Sequence, residues 1–340
     1  MSNQPLVSII LPTYNAGSTI KATLNSLTNQ TLQNIEIICV NDGSTDDTDE
    51  ILAKAAQADS RIKVITTPNR GSYKAREEGL AQATGSYIGF CDADDAPLPD
   101  MYKTLHENAV LYSSDLVICP YIRKKNEAEL ATEMLRPKRY ALPVNSESGW
   151  TIAINTALWN KLYRKEALAK HAHLNFPPKI GEDAIFFLSV LPSIKKISFV
   201  HEPKYLYQVQ ENSAMSSVSE DETNSILTAW IELRSYIAEI DKDYLKIVDS
   251  AAFVHLGVSL PAMQLKQGDC RLAKKTLTDL NDNFPLHLES NFFTANYAKE
   301  YPDFMKLAYA AHKLAQIRLL IPSLRAYQKV TSILGSNVKW

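Results

Sequence analysis

The chain has 340 residues, 45% of them apolar and 22% charged, enough for two domains and a sizeable core. Its 36 Lys and Arg against 38 Asp and Glu leave a net charge of −2, so no overall basic surface is offered to nucleic acid. No apolar run approaches the ~18 residues that a membrane span needs, and the opening MSNQPLVSII lacks the basic n-region of a signal peptide.

In chain order, Leu6–Leu11 is an apolar run rich in β-branched residues and reads as a strand, followed by a helix over Ala16–Asn29. Ile35–Val40, Arg61–Thr66, Tyr87–Cys91 and Asp115–Cys119 read as further strands, and Asp46–Ala58, Tyr73–Ala83 and Asp100–Tyr112 as the intervening helices. This alternation predicts a parallel sheet covered on both faces, with ligands bound beyond the carboxyl ends of the strands. Tyr121–Ser148 is polar and mixed in charge, and reads as an irregular, partly mobile insertion. After about Ser219 the chain turns helical. Ser219 with Glu222 forms a capping-box pattern, and Ile226, Trp230, Leu233, Ile237 and Ile240 recur at helical spacing. The expected domains are 1–215 and 216–340. Cys39, Cys91 and Cys119 sit in apolar strand-like runs, well apart from one another and from Cys270, which reads as buried thiols in a reducing cytosol instead of a zinc site or disulfide framework.

The loops after the strands read PTYNAG, NDGSTDD, TPNRGS and DADDAP. In the first, Pro12 lacks an N–H, Gly17 permits a sharp entry into the helix, and Tyr14 either stacks on a flat ring or covers core. In the second, Ser44 with Asp47 reads as a helix cap. Asp42 precedes that cap, where its carboxylate is placed to accept a hydrogen bond from a ring N–H of a bound base. Arg76 lies on a helix reached through a Gly turn; it is either a surface charge or a planar fork that orients carboxylates or meets a phosphate. In the fourth loop Asp92, Asp94 and Asp95 crowd into four positions, and like charges this close cost stability unless a cation sits among them. Mg2+ or Mn2+ is commonly held by one or two carboxylates plus substrate phosphates. On an extended chain residues i and i+2 point the same way, so Asp92 and Asp94 would face one metal with Asp95 turned elsewhere. The plain alternative is a charged turn before Pro97; four loops converging on one sheet edge favour the metal.

VSIILPTYNAG (Val7–Gly17), IEIICVNDGSTDDT (Ile35–Thr48), NRGSYKAREEGLAQATGSYIGFCDADD (Asn69–Asp95), NKLYRKEAL (Asn160–Leu168) and GEDAIF (Gly181–Phe186) resemble, in order and spacing, the inverting glycosyltransferases of family 2. That resemblance implies the α/β GT-A fold, with a Rossmann-like, mostly parallel central sheet, here carrying a C-terminal helical region. It implies a nucleotide-sugar donor, expected to be a UDP-sugar, a divalent cation, and a hydroxyl acceptor on a glycan or lipid-linked molecule in cell-surface polysaccharide or glycoconjugate synthesis. By position, Pro12, Tyr14 and Asp42 would hold the nucleoside and Arg76 would brace the diphosphate end. Asp92 would reach ribose or metal, Asp94 the metal, and Asp183 would be the general base. Glu182 and Trp159 are weaker acceptor candidates. As a plain alternative, Asp183 caps the helix Ala184–Leu191 and Trp159 is core; His201 is left out of the metal set. This chain departs from the family pattern at Glu77, where Asn is common, and at Val209 and Gln210, where Tyr and Arg are usual.

The chemistry agrees with the resemblance. Sugar transfer needs a cation on the departing diphosphate, a base for the acceptor hydroxyl, and both reactants held in line. A phosphotransferase built on D-x-D would place its aspartate after the first strand, where PTYNAG stands, and a nucleotidyltransferase would need a Gly-rich, Arg-containing phosphate loop near the start. A catalytically inactive, sugar-nucleotide-binding subunit is the remaining alternative. After Asp303 the chain has no acidic residue, while Lys306, Lys313, Arg318, Arg325, Lys329 and Lys339 alternate with apolar residues. Segment 304–340 therefore reads either as a surface for an anionic leaflet, making the protein cytoplasmic and peripheral at the inner face of the plasma membrane, or as a helix packed on its own domain.

Overall fold

The computed structural model describes residues 4–125, 128–130, 140–175, 177–209, 218–293 and 303–316. Val7–Thr13 (β1) and Ile35–Asn41 (β2) are near-continuous apolar runs buried along almost their whole length, as strands in a sheet covered on both faces must be. Ile62–Thr66 (β3) and Tyr87–Phe90 (β4) flank them in parallel, giving the order β3-β2-β1-β4. Helices α1 (Ile20–Thr28), α2 (Thr48–Ala58), α3 (Ser72–Gln82) and α4 (Met101–Tyr112) fall within a few residues of expectation.

Beyond β4 the sheet departs from a simple parallel series. The next strand of this sheet in chain order, Leu116–Ile118 (β6), is not the neighbour of β4. Lys161–Arg164 (β10), cut from the NKLYRKEAL segment, is inserted antiparallel between them. Lys196–Phe199 (β11) then pairs parallel with β6, and Ala141–Pro143 (β9) closes the eight-stranded sheet. A four-stranded sheet stands beside it, in the order β5-β12-β7-β8: Ala96–Pro97 (β5), Tyr205–Gln208 (β12), Tyr121–Lys125 (β7) and Ala128–Leu130 (β8). Part of the expected irregular insertion is thus strand, while residues 126–127 and 131–139 lie outside the described residues. The short helix α5 (Lys165–Leu168) follows β10.

The chain divides into two compact units: Met1–Val144 with Thr156–His171 and Ser193–Glu211, and Asn145–Asn155 with Ala172–Pro192 and Asn212–Trp340. The second unit takes in two segments that a single cut after residue 215 would leave in the first. Its helices are α6 (Glu182–Val190), α7 (Glu220–Ile240), α8 (Leu245–Ala252), α9 (Leu260–Lys266), α10 (Cys270–Asn283) and α11 (Asp303–Gln316). The expected capping box opens α7: Ser219 Oγ accepts from Glu222 N at 3.2 Å and Glu222 Oε2 accepts from Ser219 N at 2.8 Å. Ile226, Trp230, Leu233 and Ile237 are buried, whereas Ile240 ends the helix in solvent. The continuous helical run Lys242–Lys266 is, contrary to the sequence reading, long and apolar enough to cross a membrane, but 78% of its most apolar window is buried within the protein. Of the segment expected to meet a leaflet, α11 buries Ala308, Ala311, His312 and Ala315, and 317–340 lies outside the described residues.

The amino end of β2 carries a buried carboxylate that the sequence reading passed over. Glu36 accepts from Ser8 Oγ at 2.5 Å, Lys63 Nζ at 2.6 Å, Thr84 N at 2.7 Å and Thr84 Oγ1 at 2.8 Å. Burial raises its pKa, but these bonds outweigh burial and hold it at about 2 instead of 4.5. A depressed carboxylate pKa stabilises the fold above its usual value, and that contribution is lost as pH falls from 4.5 towards 2. The shift corresponds to about 3 kcal/mol. Glu36→Gln is expected to lower unfolding free energy by about that amount at pH 7, with the gap to wild type closing as pH is lowered; urea unfolding across pH measures it.

Candidate active site

The loops at the carboxyl ends of β1 and β2 knit together. Asn15, in the left-handed region at φ +49°, donates its N–H to Ser44 Oγ at 3.0 Å, and Asn15 Oδ1 accepts from Thr45 N at 2.8 Å. Ala16 N donates to Thr48 Oγ1 and Gly17 N to Asp46 Oδ2. A Cβ at Gly17 would lie 1.7 Å from Asp47 Oδ1, so any larger residue there would have to displace the Asp47 side chain. Ser44 therefore ties loop to loop and does not cap the helix: α2 begins at Thr48 with Asp47 at its cap position. Beside this knot the Tyr14 ring is 51% exposed, open to a flat partner, while Pro12 lies partly buried on β1.

Asp42 is 3% exposed, and its oxygens are engaged by the loop after β3. Oδ1 accepts from Thr67 Oγ1 at 3.2 Å and Arg70 N at 2.9 Å, and Oδ2 from Gly71 N at 2.7 Å. Gly71, at φ +89°, then opens α3. Whatever ring Asp42 meets, it holds residues 67–71 over the end of β2.

Arg76 is buried on α3, and its guanidinium reaches Asp92 Oδ1 at 3.2 Å. The contact places its guanidinium against the acidic cluster. Asp92–Asp95 is not extended. Asp95 N donates to Asp92 O at 3.2 Å, closing a turn, and Thr23 Oγ1 from α1 donates to Ala93 O. Strand alternation therefore does not align Asp92 with Asp94, because β4 ends at Phe90; the turn sets their placement. Asp92 and Asp94 are partly exposed, while Asp95 is 3% exposed. Burial, then the charges of Asp92 and Asp94, push Asp95 well above the usual carboxylate range, against hydrogen bonds from Gln208 N and Tyr205 Oη that lower it. The turn gathers three carboxylates, with the Arg76 guanidinium against one of them. Its donors are hard carboxylate oxygens, so Asp92 and Asp94 fit a hard divalent cation.

Under the turn lies an aromatic stack that the sequence reading did not assemble. Trp159 is stacked at 4.6 Å on Tyr205 and 5.3 Å on Tyr207, with Tyr121 edge-on at 4.6 Å. Trp159 is 6% exposed, which makes it core and leaves it no open face for an acceptor sugar. His201 packs edge-on against Tyr140. Glu77 pairs with Lys74 at 2.8 Å and His171 at 3.4 Å, so this family departure serves a packed ion pair. Val209 N donates to Lys124 O, and Gln210 lies outside the described residues.

In the helical unit, Glu182 and Asp183 occupy the first turn of α6, where the helix dipole favours carboxylates. The cap is Gly181, at φ +80°, so Asp183 is a helical residue and not the cap. Sequence reasoning turned Asp95 away from its two neighbours but could not supply its partner Tyr205, 110 positions on.

Residues 8–172 match the family described as Glycosyl transferase family 2. EpsH of Bacillus subtilis (strain 168), provisionally named a glycosyltransferase, is 31% identical over 284 residues, covering 80% of this chain and 81% of that protein. Among solved structures, S. aureus TarS 1-349 in complex with UDP-GlcNAc has a TM-score of 0.68 at 20% identity, over 97% of this chain and 92% of that one. The mannosyltransferase PcManGT from Pyrobaculum calidifontis, in complex with GDP-Man and Mn2+, reaches 0.52 at 16% identity, over 97% and 87%. The architecture is that of GT-A-type sugar transferases, a mixed α/β fold with a mostly parallel central sheet and a helical C-terminal part. With EpsH aligned over most of both chains, this protein belongs to glycosyltransferase family 2.

Proposed function

We propose that the protein is a metal-dependent, inverting glycosyltransferase of hexosyltransferase type that moves a sugar from a UDP-sugar to a hydroxyl of a glycan or lipid-linked acceptor in cell-surface polysaccharide or glycoconjugate synthesis. The observation that carries this reading is the Asp92–Asp95 turn with Arg76 against Asp92, set at the carboxyl ends of parallel strands beside the loop held by Asp42. The UDP-GlcNAc in TarS and the Mn2+ in PcManGT support the donor class and the cation.

Asp94 and Asp92 would hold Mn2+ or Mg2+, which when bound supplies Lewis-acid stabilisation to the departing diphosphate. Arg76 keeps Asp92 oriented and its charge compensated. Asp42 keeps residues 67–71 in place and offers its remaining acceptor capacity to the uracil-type ring, with Tyr14 exposed for stacking and Pro12 beside it. Asp183 takes the proton from the attacking acceptor hydroxyl, and Glu182 orients the acceptor; both roles rest on the GEDAIF resemblance. A single in-line attack inverts the sugar carbon.

The test is a panel of UDP- and GDP-sugars with Mn2+, read by thermal shift and by donor hydrolysis. A UDP-sugar that both stabilises and turns over is the expected result. Saturable stabilisation without turnover, with any acceptor extract, would establish the inactive binding subunit instead.

For location, the proposed site of action is the cytoplasmic face of the plasma membrane, reached through the basic and apolar residues after Gln316. Arg318, Arg325, Lys329 and Lys339 lie there with no acidic residue between them. Each basic residue contributes roughly 1 kcal/mol near an anionic leaflet. Because α11 is packed, the informative truncation ends at Gln316 and leaves that helix in place. Full-length protein is expected to co-sediment with anionic vesicles at low salt and the truncated form not; equal behaviour of both would refute the membrane contact.

A further inference from the structure

The acidic turn is where the chain crosses between sheets. β4 before it belongs to the eight-stranded sheet and β5 after it to the four-stranded sheet. β5 is a two-residue strand, paired only as Tyr205↔Pro97 and Leu206↔Ala96, so the ladder by itself gives the turn little hold. A buried hydrogen-bond ring adds to the holds that Arg76 has on Asp92 and Thr23 on Ala93. Asp95 Oδ1 accepts from Gln208 N at 2.8 Å and Oδ2 from Tyr205 Oη at 3.0 Å. The same hydroxyl accepts from Asp92 N at 3.2 Å, and Asp95 N returns to Asp92 O at 3.2 Å. The Tyr205 ring is fully buried and stacked on Trp159, so its hydroxyl has a fixed position.

We infer that Asp95 is a positioning residue: through Tyr205 and the backbone of Gln208 it clamps β12 against the acidic turn and so sets where Asp92 and Asp94 present their oxygens. Asp95 engages both oxygens with protein donors, which leaves ligation to its two neighbours. The clamp acts on the metal-binding role proposed above and rests on that reading. Outer partners that orient metal ligands change affinity by roughly 10- to 100-fold when removed. A ring that served stability alone would lower the unfolding midpoint and leave the metal affinity of folded molecules unchanged.

The experiment titrates Mn2+ into full-length protein with UDP, following free Mn2+ by electron paramagnetic resonance, with urea unfolding of each variant alongside. Tyr205→Phe deletes only the hydroxyl and keeps the stack on Trp159; it decides the matter if Asp95→Asn fails to fold. Wild type is expected to bind, Asp94→Asn to lose binding, and Tyr205→Phe and Asp95→Asn to bind at least tenfold more weakly. Wild-type affinity in folded Tyr205→Phe, with Asp94→Asn inactive in binding, would overturn the clamp and leave the metal reading standing. No Mn2+ bound by wild type, or full binding by Asp94→Asn, would overturn the metal reading and the clamp with it.

Discussion

Asp94→Asn is expected to reduce sugar transfer by about a thousandfold or more, since the cation proposed to be held there would supply several kcal/mol to the departing diphosphate and each 1.36 kcal/mol is tenfold in rate. The fold should survive. Asp94 contributes to the negative charge that pushes Asp95 upward, so removing one carboxylate relieves repulsion within the turn. The unliganded variant is therefore expected to unfold at the same urea concentration as wild type or a higher one. That pairing separates the metal role from a structural one: a ligand variant loses rate and keeps stability, whereas a residue that merely braced the turn would lose stability first. Transfer is measured as UDP release across a Mn2+ titration, and wild-type turnover in the variant, or in excess chelator, would contradict the assignment.

Asp183→Asn is expected to lower kcat by roughly 10²- to 10⁴-fold, the range of general-base catalysis, with donor KM nearly unchanged. The reason is the proposed division of labour: Asp183 would act on the acceptor hydroxyl, with the nucleotide held by other residues. The first turn of α6 is a suitable mount, because Gly181 takes up the left-handed cap conformation and the apolar residues Ala184–Val190 behind it are buried, leaving the carboxylate on a rigid base. Substitution by Asn preserves size and removes no cap, since the cap is Gly181. Equal losses in donor binding and turnover would show Asp183 to be a nucleotide ligand or a structural residue. Single-turnover assays with saturating donor distinguish the cases.

These two aspartates can be proposed from the sequence because the signals that single them out are local. DADD and GEDAIF are short, each ends or opens an element, and each sits where an apolar run stops. Arg76 was legible only as a choice among roles; the structure adds its contact with Asp92, which the sequence could not place. Trp159 could not be placed by sequence, because an aromatic between Ala157 and Leu162 serves a sugar or a core equally well; its partners Tyr205 and Tyr207 lie more than forty positions away. Ser44 looked like a cap by spacing alone, yet Asn15 from another loop claims its hydroxyl.

The sequence by itself determined the βαβ frame, because apolar strand runs, helix-length amphipathic segments and polar loops are properties of neighbouring residues and need no partner to be read. It likewise determined which loops carry charge and the capping box of α7. Only the tertiary structure decided that β10 enters antiparallel beside β4, that a second sheet of short polar strands forms, and that 145–155 and 172–192 belong to the helical unit. It alone turned Asp95 inward onto Tyr205 and Gln208 and set Glu36 among Ser8, Lys63 and Thr84. The physical reason is common to all of these. Strands outside the βαβ alternation, such as Ala96–Pro97 and Lys161–Arg164, find their partners far along the chain, and a buried carboxylate is tolerable only through donors that the fold delivers from distant points of the chain.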